Sequence, residues 1–95
     1  MDEERRAVHV VISGRVQGVW FRAWTEEMAK GLELDGWVRN LSDGRVEAVF
    51  AGPPDNLERM LKACWLGPEL ANVENVEVSS HNEDPAPGFF SAPTA

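Results

Sequence analysis

Two hydrophobic periods alternate along this chain, and their order limits the folds open to it more than any other feature. AVHVVIS, Ala7 to Ser13, is rich in β-branched residues; Val8, Val10 and Ile12 fall on one face and His9 and Val11 on the other, as in a strand. From Trp20 to Lys30 the spacing becomes helical, with Phe21, Trp24 and Met28 at i, i+3 and i+7 and Leu32 continuing the stripe. Gly31 stands where a helix-terminating glycine belongs. LDGWVRN, Leu34 to Asn40, and RVEAVFA, Arg45 to Ala51, read as two strands joined through Asp43-Gly44 into an antiparallel hairpin. Gly52-Pro53-Pro54-Asp55 opens a second helix, because proline is tolerated in a first turn and an early carboxylate suits the helix dipole. Leu57, Met60, Leu61 and Cys64 form its apolar stripe, Gly67-Pro68 ends it, and ANVENVEVSSH, Ala71 to His81, reads as a fourth strand.

The resulting order, β-α-β-β-α-β, is that of the split βαβ arrangement of ferredoxin-like domains. It predicts an α+β sandwich, an antiparallel sheet with both helices packed on one face. Residues 1–95 are expected to make one domain, with 1–6 as an N-terminal tail. The segment from about residue 84 to 95 is proline-rich and is expected to add at most a short strand around Gly88 to Ser91. The topology hosts many functions, so function has to come from particular residues.

Composition closes several routes. No apolar run reaches the 18 or more residues of a membrane span, and MDEERRAVHV is charged where a secretory signal needs an apolar stretch. A single cysteine, Cys64, rules out an internal disulfide and falls on the inner face of a helix, where a small buried apolar residue is expected rather than a nucleophile. A reducing cytoplasm is the expected compartment. The net charge of −7 disfavours nucleic acid and anionic membranes, both of which want basic surface. His9 and His81 have no Asp or Cys at metal-ligand spacing, so no metal site is expected.

The remaining feature is GRVQGVWFR, residues 14 to 22, which joins the first strand to the first helix. A helix N-terminus presents unpaired N–H groups and a partial positive charge, and glycines let successive amides curl into an anion-binding nest. Arg22, in the first turn, carries a planar fork of donors suited to phosphate oxygens. The combination suits a small phosphate-like dianion, although a glycine-rich connection is as often purely structural. Gly14 and Gly18 fit neither the dinucleotide fingerprint nor the Walker pattern, so a nucleotide is not indicated.

GRVQGVWFR resembles the first signature of the acylphosphatase family, Gly-x-Val-Gln-Gly-Val-x-aromatic-Arg. GWVRNLSDGRVEAVFAG, Gly36 to Gly52, resembles the second: Gly-aromatic-Val-x-Asn, then Gly-x-Val, then a later Gly. The similarity runs from about His9 to Val78 and includes the Gly67-Pro68 break. The resemblance implies hydrolysis of acyl phosphates to a carboxylate and inorganic phosphate, with neither metal nor phosphoenzyme and no cofactor. It implies that the amides of the loop Arg15, Val16, Gln17, Gly18 and Val19 wrap the substrate phosphate, that Arg22 binds the same phosphate and stabilises its charge, and that Asn40 orients the attacking water. The sequence departs from the family at GFFSAPTA, where relatives commonly close with a strand ending in a basic residue or tyrosine; Phe89 or Phe90 is the available aromatic anchor.

Each assignment has a plainer competitor. Asn40 before a turn is commonly a turn-former, and Arg22 on a helix is commonly a solvated cation; their company with the two signatures favours the functional reading. Arg15 and Arg39 are expected near the site as solvated side chains, Gln17 to shape the loop, and Trp20 to belong to the core or to flank the acyl part of a substrate. The alternative function is a non-catalytic phosphate- or anion-binding regulatory module of the same fold, which has no need for a water-positioning asparagine. RNA binding, which this topology also supports, lacks stacking aromatics on the third strand, where only Phe50 is available. A small-molecule acyl phosphate is thus the expected partner and a monomer the expected state.

Overall fold

The computed structural model describes residues 4–95. Of the expected N-terminal tail, residues 1–3 lie outside the described residues, and Arg6 already begins a strand. The elements are β1 (Arg6–Arg15), α1 (Phe21–Gly31), β2 (Asp35–Asn40), β3 (Val46–Gly52), α2 (Pro54–Leu66), β4 (Asn72–Ser80) and β5 (Phe89–Ser91). The first six follow the order read from the sequence, and the sheet runs β4-β1-β3-β2-β5.

Alternation along the strands sorts side chains between two faces. Val10 and Ile12 of β1, Val38 of β2, and Val46, Ala48 and Phe50 of β3 are fully buried and meet Phe21 and Ala29 of α1 and Leu57, Met60 and Cys64 of α2 in one core. Each large apolar side chain buried this way contributes about 1.5–3 kcal/mol. The opposite face carries His9, Arg39 and Glu47, so a one-residue slip in register would exchange core for solvent across the whole sheet.

Two local expectations are corrected. Gly31 does not terminate α1; it is the last helical residue. The left-handed position is Glu33, at φ 56°, with Glu33 N–H donating to the Lys30 carbonyl and Leu34 N–H to that of Ala29. This is a Schellman ending whose hydrophobic contact is Leu34, 2% exposed, and burying that leucine outweighs the cost of a left-handed glutamate. The second correction concerns the tail. β1 to β4 pair antiparallel, but β5 runs parallel to β2, which makes the five-stranded sheet mixed. Phe89, 2% exposed, is the anchor: its ring stacks on Phe50 with centroids 5.5 Å apart, while Phe90 stays exposed. Beyond β5 the backbone continues along β2, with Ala92 N–H donating to the Val38 carbonyl and Ala95 N–H to that of Asn40.

Candidate active site

The two glycines of GRVQGVWFR do different work. At Gly14, φ 121°, β1 is bulged against β4; a β-carbon there would overlap the Asn72 carbonyl oxygen and lie 2.8 Å from the Glu74 amide nitrogen. Gly14 therefore lets two strands approach and does not face a ligand, contrary to the expectation that both glycines form a cradle. Gly18, at φ 72°, has open space where its side chain would be. It is the glycine of the loop proper.

Between β1 and α1 the chain bends continuously over residues 17–20. Val16 and Val19, 1% and 2% exposed, plug the two ends of this bend into the core. No loop or turn hydrogen bond is donated by the backbone amides of residues 17–20, and the first helical amides of α1 follow directly. Gln17 is turned away from the bend: its Nε2 donates to the carbonyl oxygens of Leu41 at 2.8 Å and Arg45 at 2.9 Å. That side chain ties the loop to the turn that carries Asn40.

A cavity of about 470 Å³ opens at this junction. Val16, Gln17 and Gly18 of the loop, Arg22 of α1 and Asn40 at the end of β2 all line it. Arg22 belongs to none of the ion pairs among the described residues, which leaves its guanidinium available to an anion. The cavity therefore joins open backbone amides, a helix N-terminus and an unpaired guanidinium, the ingredients of a dianion site, with a neutral amide beside them.

Two of the expected phosphate-loop residues fall outside the cavity. Arg15 ends β1 opposite Asn72 with its side chain exposed, and the Val19 side chain is spent on the core. Arg39 is also removed from the site: strand alternation puts it on the other face, 4.8 Å over the Trp37 ring and 2.7 Å from Glu47. There Glu47 also meets His9 at 2.6 Å. Burial alone would raise the Glu47 carboxyl, but the hydrogen bonds from His9 and Arg39 hold it below its ordinary value. His9 and His81 do stack, at 6.4 Å, yet no group of three or more His, Cys, Asp or Glu side chains is placed to hold a metal among the described residues. Cys64 is fully buried and burial pushes its thiol up to about 12, the state of a packing residue.

Sequence reasoning missed Glu26 and Ser91, both of which line the cavity. Glu26 sits at i+4 from Arg22, a spacing that places the two on one helix face and was there to be read. Ser91 carried no local signal, because it reaches the site only through the pairing of β5 with β2.

A sequence profile of the acylphosphatase family matches residues 8–91. The chain is 53% identical over 85 residues to an acylphosphatase of Rhodospirillum rubrum, covering 90% of this chain and 93% of that one. It is 55% identical over 91 residues to one of Sinorhizobium medicae, covering 94% and 96%. Among solved structures, an acylphosphatase from Coxiella burnetii superposes with a TM-score of 0.89 at 38% identity, over 93% of each chain. Sequence and fold thus agree, and the chain belongs to the acylphosphatase family.

Proposed function

We propose that this acylphosphatase-family enzyme hydrolyses acyl phosphates with the phosphate held by the amides of the 15–19 loop and by Arg22, and with water oriented by Asn40. The observation that carries this reading is the single cavity lined by Gly18, Arg22 and Asn40 together. In phosphoryl transfer a protein mainly positions reactants and stabilises charge on the equatorial oxygens, which loop amides and a guanidinium supply. Attack of water on phosphorus breaks the bond to the acyl oxygen, and the carboxylate leaves without needing a strong acid. The asparagine amide orients water by hydrogen bonding, and the proton passes to a phosphate oxygen. An aspartate at that position would repel the dianion. Arg15 and Val19 take part through backbone alone, since the exposure of one side chain and the burial of the other leave only their amides for the task.

The same reading has the reaction proceed without a metal, since the charged side chains at the cavity are Arg22 and Glu26 rather than a ligand set. It has residues 1–95 act as one domain and as a monomer, because the cavity is built within one chain, in the cytoplasm and without a nucleic-acid partner, in keeping with the net charge of −7. No helix among the described residues is long and apolar enough to cross a membrane.

The test is turnover of benzoyl phosphate in EDTA by the wild type, Arg22→Ala and Asn40→Ala. Loss of one electrostatic donor removes about 10²–10³ in kcat, and both variants are expected to show it with circular dichroism unchanged. Full activity in Arg22→Ala would remove the assignment.

A further inference from the structure

The cavity is larger than a phosphate requires. At about 470 Å³ it falls among sites that enclose a whole small organic molecule. Loop amides, Arg22 and Asn40 account for the phosphate, and Trp20, Ala23, Glu26 and Ser91 also line the cavity. Two of these are unusual for a surface that has to receive an anion.

Trp20 is the N-cap of α1, held at φ 67° and 77% exposed. A bulky residue in the left-handed region is an outlier that carries backbone strain. Trp20 stays largely exposed and makes no side-chain cap bond. The left-handed backbone starts α1 and leaves a flat aromatic ring at the wall of the cavity.

Glu26 places a carboxylate on the same wall, one helical turn beyond Arg22. Its Oε2 lies 3.0 Å from Lys30 Nζ, so it is not spent on Arg22. Lys30 does not line the cavity, so of this pair the Glu26 carboxylate is the charge that a bound acyl group meets.

We propose that Trp20 and Glu26 determine acyl-group specificity: the enzyme takes acyl phosphates whose acyl part is a flat apolar body, neutral or cationic, and discriminates against those bearing a second negative charge. This rests on the phosphate-end reading above. The phosphate fixes one end of the substrate at Arg22, and the acyl group extends along Trp20 toward Glu26. A cation there meets a carboxylate and an aromatic face, whereas an anion meets like charge. Between the bulk-water and protein-surface limits for charges a few ångströms apart, the penalty is about tenfold in kcat/KM.

The experiment compares benzoyl phosphate with its para-carboxy and para-aminomethyl analogues in the wild type, Glu26→Gln and Trp20→Gly. In the wild type the para-carboxy compound is expected to be the poorest substrate by about tenfold. Glu26→Gln should raise the para-carboxy to para-aminomethyl ratio of kcat/KM by a similar factor, and added salt should shrink the wild-type discrimination. Trp20→Gly should raise KM for benzoyl phosphate about fivefold or more, leave inhibition by inorganic phosphate in place, and hold or raise the melting temperature, because glycine relieves the strain. A merely structural tryptophan would lower the melting temperature instead. Full turnover with an unchanged ratio in Glu26→Gln, or an unchanged KM in Trp20→Gly, overturns the specificity assignment and spares the phosphate end. Absence of turnover on all three substrates by the wild type overturns both.

Discussion

The Nε2 of Gln17 lies 2.8 Å from the carbonyl oxygen of Leu41, the residue that follows Asn40. One side-chain amide thus braces the loop on one wall of the cavity against the turn on the other. Gln17→Leu keeps the size and removes both donors, leaving the Leu41 and Arg45 carbonyls without them. Each carbonyl keeps a backbone donor, so stability is expected to fall by only about 0.5–1.5 kcal/mol, and kcat by about tenfold or more, because small misplacements of positioned groups are amplified in rate. Chemical denaturation and steady-state kinetics would check the two parts; an unchanged kcat would show that the brace does not register the two walls.

Gly14 and Gly18 should fail in opposite ways. Gly14→Ala drives a β-carbon into the Asn72 carbonyl, so melting temperature should drop sharply whatever happens to the site. Gly18→Ala meets no atom and pays only for its left-handed φ, about 1–2 kcal/mol; its methyl group projects at the loop, and inhibition by inorganic phosphate should weaken. Differential scanning calorimetry beside phosphate inhibition separates the two. A phosphate defect in Gly14→Ala larger than in Gly18→Ala would reverse their roles.

The Asp35 carboxyl accepts from the Gly88 amide at 2.8 Å and from Arg5 at 2.7 Å, and these bonds, the Gly88 one foremost, hold it below its ordinary value. A folded-state value lower than the unfolded one gives stability that is present above the unfolded pKa of 3.8 and lost as pH falls through the folded one. Glu47, also lowered, adds in the same sense with an unfolded value of 4.5. Stability should therefore decline as pH drops from about 5. Asp35→Asn should flatten part of that decline and destabilise β5 at neutral pH. Urea midpoints across pH 3 to 7 would show it, and parallel curves for the two proteins would remove Asp35 as a contributor.

Thr25, on the inner face of α1, is completely buried and its hydroxyl has no partner among the described residues. Thr25→Val keeps the shape and deletes the orphan, so stability should rise by about 1 kcal/mol or more. A lower melting temperature would mean that the hydroxyl finds a partner in solution.

The signals legible in the sequence were the local ones. The β-α-β-β-α-β order came from periodicity, whereas the roles of Arg22 and Asn40 came from the resemblance of their surroundings to the two acylphosphatase signatures. What escaped was nonlocal. Gln17 looked like a loop-shaper, but its partners lie two elements away. The short strand expected around Gly88 to Ser91 is there, but its partner and parallel direction were not legible, since they depend on Phe89 finding Phe50 and on the open edge of β2. Gly31 misled because the composition rule for helix ends does not register that Leu34 must be buried two residues after Leu32.

The placement of β1 inside the sheet, between β3 and β4, has a kinetic consequence. Val10 pairs with Ala48 on one side and with Val78 on the other, so the first strand waits for segments from the far half of the chain. Contacts of such separation close slowly, since loop entropy is lost before they reward it. The backbone of Asn40 is fastened later still in sequence, by the amide of Ala95, and Ser91 completes the cavity wall. Refolding from denaturant is therefore expected to be slow for a chain of this size, with recovery of hydrolysis trailing recovery of helical signal.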